Sequence, residues 1–105
     1  MATIPPSPTL QQLQSYVSET ETQRGFSEES VLEKCLLLGE EVGELFKAIR
    51  KRSGIAVDQT APPSSIADEL ADVLNFILAI ANRAQIDLEE AYRAKEEVNS
   101  LRTWR

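Results

Sequence analysis

Ile66-Ala67-Asp68-Glu69-Leu70-Ala71-Asp72-Val73-Leu74-Asn75-Phe76-Ile77-Leu78-Ala79-Ile80-Ala81 is apolar on nearly every side, yet it carries two carboxylates three residues apart at Glu69 and Asp72. A run of this length without strand-like alternation reads as an α-helix, and its apolar circumference implies burial on most sides. A second acidic pair, Glu41 and Glu44, lies in Leu36-Leu37-Leu38-Gly39-Glu40-Glu41-Val42-Gly43-Glu44-Leu45-Phe46, again among apolar neighbours. Residues three apart project from one face of a helix, so each pair can serve as a two-pronged oxygen ligand. Burying such acids is costly unless a positive charge meets them. If the two helices pack side by side, four carboxylates converge, and an oxygen-rich cluster is what Mg²⁺ or Mn²⁺ prefers.

The rest of the chain narrows the chemistry. With 105 residues it is one small domain, so some apolar helix surface is expected to be covered by another copy of the same chain. The formal charge of −6 does not supply the basic surface that a nucleic-acid backbone requires. No segment approaches a membrane span, and Met1-Ala2-Thr3-Ile4-Pro5-Pro6 lacks the layout of a signal peptide, so the expected location is the cytoplasm. There is no histidine, which removes Ser-His and Cys-His nucleophiles and leaves acid-base work to carboxylates, Lys, Tyr or metal-bound water. Cys35, the single cysteine, sits on a stripe with Leu32, Leu36 and Gly39 and reads as a core thiol.

Helix-end signals divide the chain. Residues 1–7 form a flexible tail, and the single domain occupies 8–105. A first helix is expected over about 8–24, entered at Pro8 after Ser7 and stopped by Gly25. A second helix starts at an N-cap on Ser27, with Phe26 and Val31 as a hydrophobic staple, and runs to about Arg52. A loop over 53–64 follows, then a third helix capped by Ser65-x-x-Asp68 and ending near Ala84. A fourth helix is capped by Asp87, with Glu90 at its third position. On this last helix Lys95, Asn99 and Arg102 share a stripe with Leu88, Ala91, Tyr92 and Val98, which predicts that these polar groups point inward. A carboxylate-held cation beside inward Lys, Asn and Arg is equipment for a polyphosphate.

Together, Glu40-Glu41-x-x-Glu44, then Asp68-Glu69-Leu70-Ala71-Asp72-Val73-Leu74, then Lys95-x-x-x-Asn99-x-x-Arg102-x-Trp104 resemble the MazG-like, all-α nucleoside triphosphate pyrophosphohydrolases over about residues 28–105. The resemblance implies an all-α, four-helix-type bundle that forms a dimer or a dimer of dimers. It implies Mg²⁺-dependent conversion of a nucleoside triphosphate, ribo or deoxy, to its monophosphate and pyrophosphate. On this resemblance Glu41, Glu44, Glu69 and Asp72 are metal ligands, and Lys95, Asn99 and Arg102 lie near the phosphates. Glu40 is either a general base for the attacking water or an exposed acid paired with Lys47 or Lys51. Asn75, one turn past Asp72, either contacts the substrate or is a satisfied amide. Tyr16 and Phe26 are candidates for a base pocket, and the 53–64 loop for a lid. Two other readings compete: a phosphoribosyl-ATP pyrophosphohydrolase, which typically shows a histidine that is replaced here by Val73-Leu74-Asn75-Phe76, and a non-catalytic helical interaction protein.

Overall fold

The computed structural model describes residues 2–55 and 65–104. Within them the chain forms α1 (Leu10–Arg24), α2 (Val31–Arg52), α3 (Ile66–Arg83) and α4 (Leu88–Ser100), with no strand, so the all-α expectation holds. Residues 56–64, the body of the expected loop and lid, lie outside the described residues, as does Met1 of the expected tail.

Two helix starts differ from the sequence expectation. Ser7 adopts a positive φ of 48° and cannot lead into a helix, so α1 begins at a capping box further on. There Thr9 Oγ1 accepts from the Gln12 N–H at 3.1 Å, and Gln12 Oε1 accepts from the Thr9 N–H at 2.8 Å. Gly25 closes α1 in the left-handed region at φ 79°, a conformation that costs glycine little. The cap of α2 is Ser30, not Ser27, because Glu33 stands three residues after Ser30 and completes the box from both sides. Phe26 and Val31, expected as a staple, are both exposed. The later caps fall as expected: Ser65 Oγ accepts from the Asp68 N–H at 3.3 Å, and Asp87 Oδ1 accepts from the Glu89 and Glu90 N–H groups at 2.9 and 3.3 Å.

The helices sort into two compact units. One holds Met1–Glu28 and Leu78–Arg105, with Val17, Leu78 and Ala79 at its core and Leu13, Tyr16 and Leu88 packed against them. Tyr16 is therefore a core-edge residue. Around this small core, buried polar groups are fully used. The Gln14 amide donates to Asn82 Oδ1 at 3.1 Å and to the Ile86 carbonyl at 2.8 Å, and it accepts from the Leu88 N–H at 3.0 Å. Asn82 returns a hydrogen bond to the Gln14 carbonyl at 2.8 Å, so α1 is clasped to the turn between α3 and α4 by a satisfied network. Arg83 forms a two-pronged pair with Glu21 at 2.8 and 2.9 Å and also donates to the Phe26 carbonyl at 2.9 Å.

The second unit, Glu29–Ile77, holds α2 and most of α3. The face of α2 that is withdrawn from solvent reads Lys34, Leu38, Glu41, Leu45 and Ala48, a helical spacing of four and three. This displaces the expected core stripe by one position: Cys35 is exposed, with Leu32 at 69% and Leu36 at 65% exposure. The expected burial of α3 on most sides also fails within one chain, since Leu70, Leu74 and Ile77 are exposed. A helix facing one neighbour can bury only one stripe, so further apolar faces stay open in a single copy. On α4, Lys95 and Tyr92 are exposed and no residue is fully buried, so its polar stripe does not point into the chain's own core. Among the described residues no helix is long and apolar enough to cross a membrane.

Candidate metal centre

Glu41 on α2 and Glu69 and Asp72 on α3 each place one carboxylate oxygen within 4.8 Å of the others. The two α3 acids reach the same place because they are three residues apart on one face, and Glu41 joins them from the inward stripe of α2. Glu41 and Glu69 are half-buried, while Asp72 is exposed. Glu69 Oε2 is buried and has no hydrogen-bond partner, although buried carboxylate oxygens are ordinarily satisfied.

The electrostatics agree with the geometry. The Glu41 carboxyl is pushed above the usual carboxylate range, first by its burial, then by the charges of Asp72 and Glu69, a side-chain hydrogen bond to Glu69, and the charge of Glu44. Like charges at this separation are tolerated only when a proton or a cation sits among them. An all-oxygen donor set, one of whose residues carries an orphaned buried oxygen, therefore fits a hard divalent cation.

A pH dependence follows. Because the folded pKa of Glu41 lies above its ordinary 4.5, the native protein holds more protons than the unfolded chain in the window above that value. Stability of the metal-free protein should accordingly fall as pH rises through this window, and Glu41→Gln should flatten that part of the curve. Urea melts of both proteins in chelator, across pH 4.5 to 7, check this. An identical slope in the variant would show that Glu41 does not hold the proton.

The remaining expected site residues are placed as follows. Glu44 is exposed on α2 and stands outside the three-acid group, although close enough for its charge to act on Glu41. Glu40 and Asn75 are exposed. Lys95 is exposed on α4, Asn99 is half-buried with its amide donating to Glu96 at 3.4 Å, and Arg102 is exposed just beyond the helix. The Trp104 indole N–H donates to the Asn99 carbonyl at 2.9 Å, folding the terminal segment back on α4. Sequence reasoning passed over Lys34, which is only 4% exposed. The available signal was its spacing, because Lys34, Leu38, Glu41, Leu45 and Ala48 mark one face.

Comparison with known proteins gives concordant results. A model of the MazG nucleotide pyrophosphohydrolase domain matches residues 26–98. The dCTP pyrophosphatase 1 of Mus musculus is 31% identical over 102 residues, covering 92% of this chain and 60% of that protein. That of Rattus norvegicus is 30% identical with the same coverage. The chain thus spans about 60% of the length of these two relatives. A crystal structure of iMazG from Vibrio DAT 722 matches with a TM-score of 0.63 at 30% identity, covering 92% of this chain and 99% of that one.

Proposed function

Because this chain belongs to the MazG nucleotide pyrophosphohydrolase family, we propose that it hydrolyses a nucleoside triphosphate to the monophosphate and pyrophosphate, using Mg²⁺ or Mn²⁺. The observation that carries this reading is the convergence of Glu41, Glu69 and Asp72, with Glu69 also carrying an orphaned buried oxygen. These three acids, with Glu44 as the fourth, would hold the cation. When bound, it supplies positive charge for the triphosphate and raises the acidity of a coordinated water. Glu40 is the candidate general base, since it flanks the ligands and its exposed carboxylate is open to a water. Lys95, Asn99 and Arg102 are assigned to phosphate oxygens on their donor chemistry, and Asn75 to the substrate's sugar or base. Their role is to offset the charge that develops on the departing pyrophosphate.

Similarity to two dCTP pyrophosphatases puts dCTP first among candidate substrates. The exposed apolar side chains on α2 and α3, Leu32, Leu36, Phe46, Leu70, Leu74 and Ile77, support assembly as a homodimer or homotetramer. The proposed location is the cytoplasm, where nucleotide pools are met.

The test is a panel of ribo- and deoxyribonucleoside triphosphates with Mg²⁺ or Mn²⁺, with products separated by chromatography. Monophosphate and pyrophosphate in equal amounts, abolished by chelator, are expected for at least one nucleotide. Diphosphate and inorganic phosphate would contradict the assigned bond, and silence across the panel would favour a helical interaction protein.

A further inference from the structure

Lys34 is the one cation among the described residues that is buried, at 4% exposure, and nothing in the proposed chemistry uses it. Its ammonium lies 3.0 Å from Glu29 Oε1, an acid of the segment that leads into α2, and 5.5 Å from the centroid of the Phe76 ring on α3. That distance falls within the range of a cation–π contact, which strengthens when both partners are withdrawn from water. Taking an ammonium out of water is costly, and replacing a buried ion pair by apolar groups is often neutral or stabilising. Fold stability alone is therefore a poor account of a lysine at this position.

The placement supplies a better one. Lys34 and Glu41 are seven residues apart on α2, and Glu69 and Phe76 are seven apart on α3, so each pair shares a face two turns apart. Lys34 meets Phe76, and Glu41 meets Glu69 and Asp72, so the helices run antiparallel here and the two contacts are rungs of one ladder, about 10.5 Å apart. Half-buried Leu38 and Val73 occupy the positions between the rungs. Apolar side chains alone specify register weakly, because a slip by one turn, about 5.4 Å, exchanges one leucine for another. A charge that must stay on both Glu29 and the Phe76 face permits no such slip.

We propose that Lys34 is a positioning residue for the acidic cluster: by joining Glu29 to Phe76 it fixes the register of α2 on α3 and so the distance of Glu41 from Glu69 and Asp72. This rests on the reading of the three acids as a metal site. Lys34 acts on the ligands through the helix register, and a loss of the order that follows removal of a ligand's orienting partner, about 10-fold, is the effect expected here.

The experiment measures Mn²⁺ affinity by electron paramagnetic resonance, together with the melting temperature in chelator, for the wild-type chain, Lys34→Met, Lys34→Arg and Glu29→Gln. Lys34→Met keeps the length and removes the charge, and Glu29→Gln perturbs the same pair from its more exposed end should Lys34→Met fold poorly. The expected result is Mn²⁺ binding weakened about tenfold or more in both Lys34→Met and Glu29→Gln, at little change in metal-free melting in Lys34→Met and with a lowered metal-free melting in Glu29→Gln, which leaves the buried ammonium without its carboxylate. Lys34→Arg should recover most of it, since a guanidinium can also pair with a carboxylate and stack on a ring. Unchanged Mn²⁺ affinity in the folded variants would overturn the positioning role and leave the carboxylate site standing. A melting loss with normal affinity would make Lys34 merely structural. Failure of the wild-type chain to bind Mn²⁺ would overturn the site reading and the positioning role with it.

Discussion

Asp72→Asn and Glu41→Gln are each expected to lower turnover of the preferred nucleotide by more than about 100-fold while the metal-free chain remains folded. Both substitutions keep side-chain size and remove one negative charge from a group of three whose oxygens lie within 4.8 Å. In the absence of metal that charge is a liability, since the Glu41 carboxyl is pushed upward by its burial and then further by the charges of Asp72 and Glu69. Melting in chelator should therefore be unchanged or improved while turnover falls. An assay of pyrophosphate release paired with thermal melts separates this from trivial unfolding. Near-normal turnover in both variants would remove the cluster from catalysis.

The second large effect concerns stability. Arg83→Ala is expected to destabilise the chain by about 3 kcal/mol, because it strips the guanidinium from a carboxylate that is largely out of water. The two side chains are 14% and 11% exposed, and the pair is two-pronged at 2.8 and 2.9 Å, which distinguishes it from the exposed Arg93–Glu89 pair at 3.3 Å. In a domain of this size such a loss corresponds to a melting temperature lower by roughly 10–20 °C. Glu21→Leu combined with Arg83→Met should recover much of the loss, since the penalty comes from leaving one charge behind. A single-variant effect below about 0.5 kcal/mol would place this pair with ordinary surface ion pairs.

How much of this was legible in the sequence depends on the residue. Helix number and most helix ends were readable, because Gly25, Ser65 and Asp87 act locally and their signals need no tertiary context. The start of α2 was misplaced because Ser27 and Ser30 are both plausible caps, and only Glu33 distinguishes them. The acidic pairs were conspicuous as charges in apolar surroundings, and the structure brings three of those four acids together. Glu44, exposed on α2, stands outside that group, although its charge acts on Glu41.

The core stripe of α2 was misread for a physical reason. Hydrophobicity favoured Leu32, Cys35 and Leu36, whereas the face used within the chain carries Lys34, which pairs with Glu29, and Glu41, whose carboxyl is pushed toward the protonated form by burial and then by its acidic neighbours. A reading weighted to apolar residues passes over a face that its spacing marks but that carries two charges. The exposed apolar stripe has the same origin, since a pattern written for more than one neighbour cannot be parsed against a single chain. Roles for Lys95, Asn99 and Arg102 came from resemblance and side-chain chemistry, and burial does not single them out.

The most direct test of the central claim, that Glu41, Glu69 and Asp72 hold a divalent cation, is thermal melting of the wild-type chain with and without Mn²⁺ at matched ionic strength. At a concentration about 100 times the dissociation constant, a cation bound only by the native state adds about 2.7 kcal/mol, which in a domain this small raises the melting temperature by upwards of about 10 °C. The account predicts that rise for the wild-type chain and its loss in Asp72→Asn. Equal melting with Mn²⁺ and with a monovalent salt of the same ionic strength would contradict it.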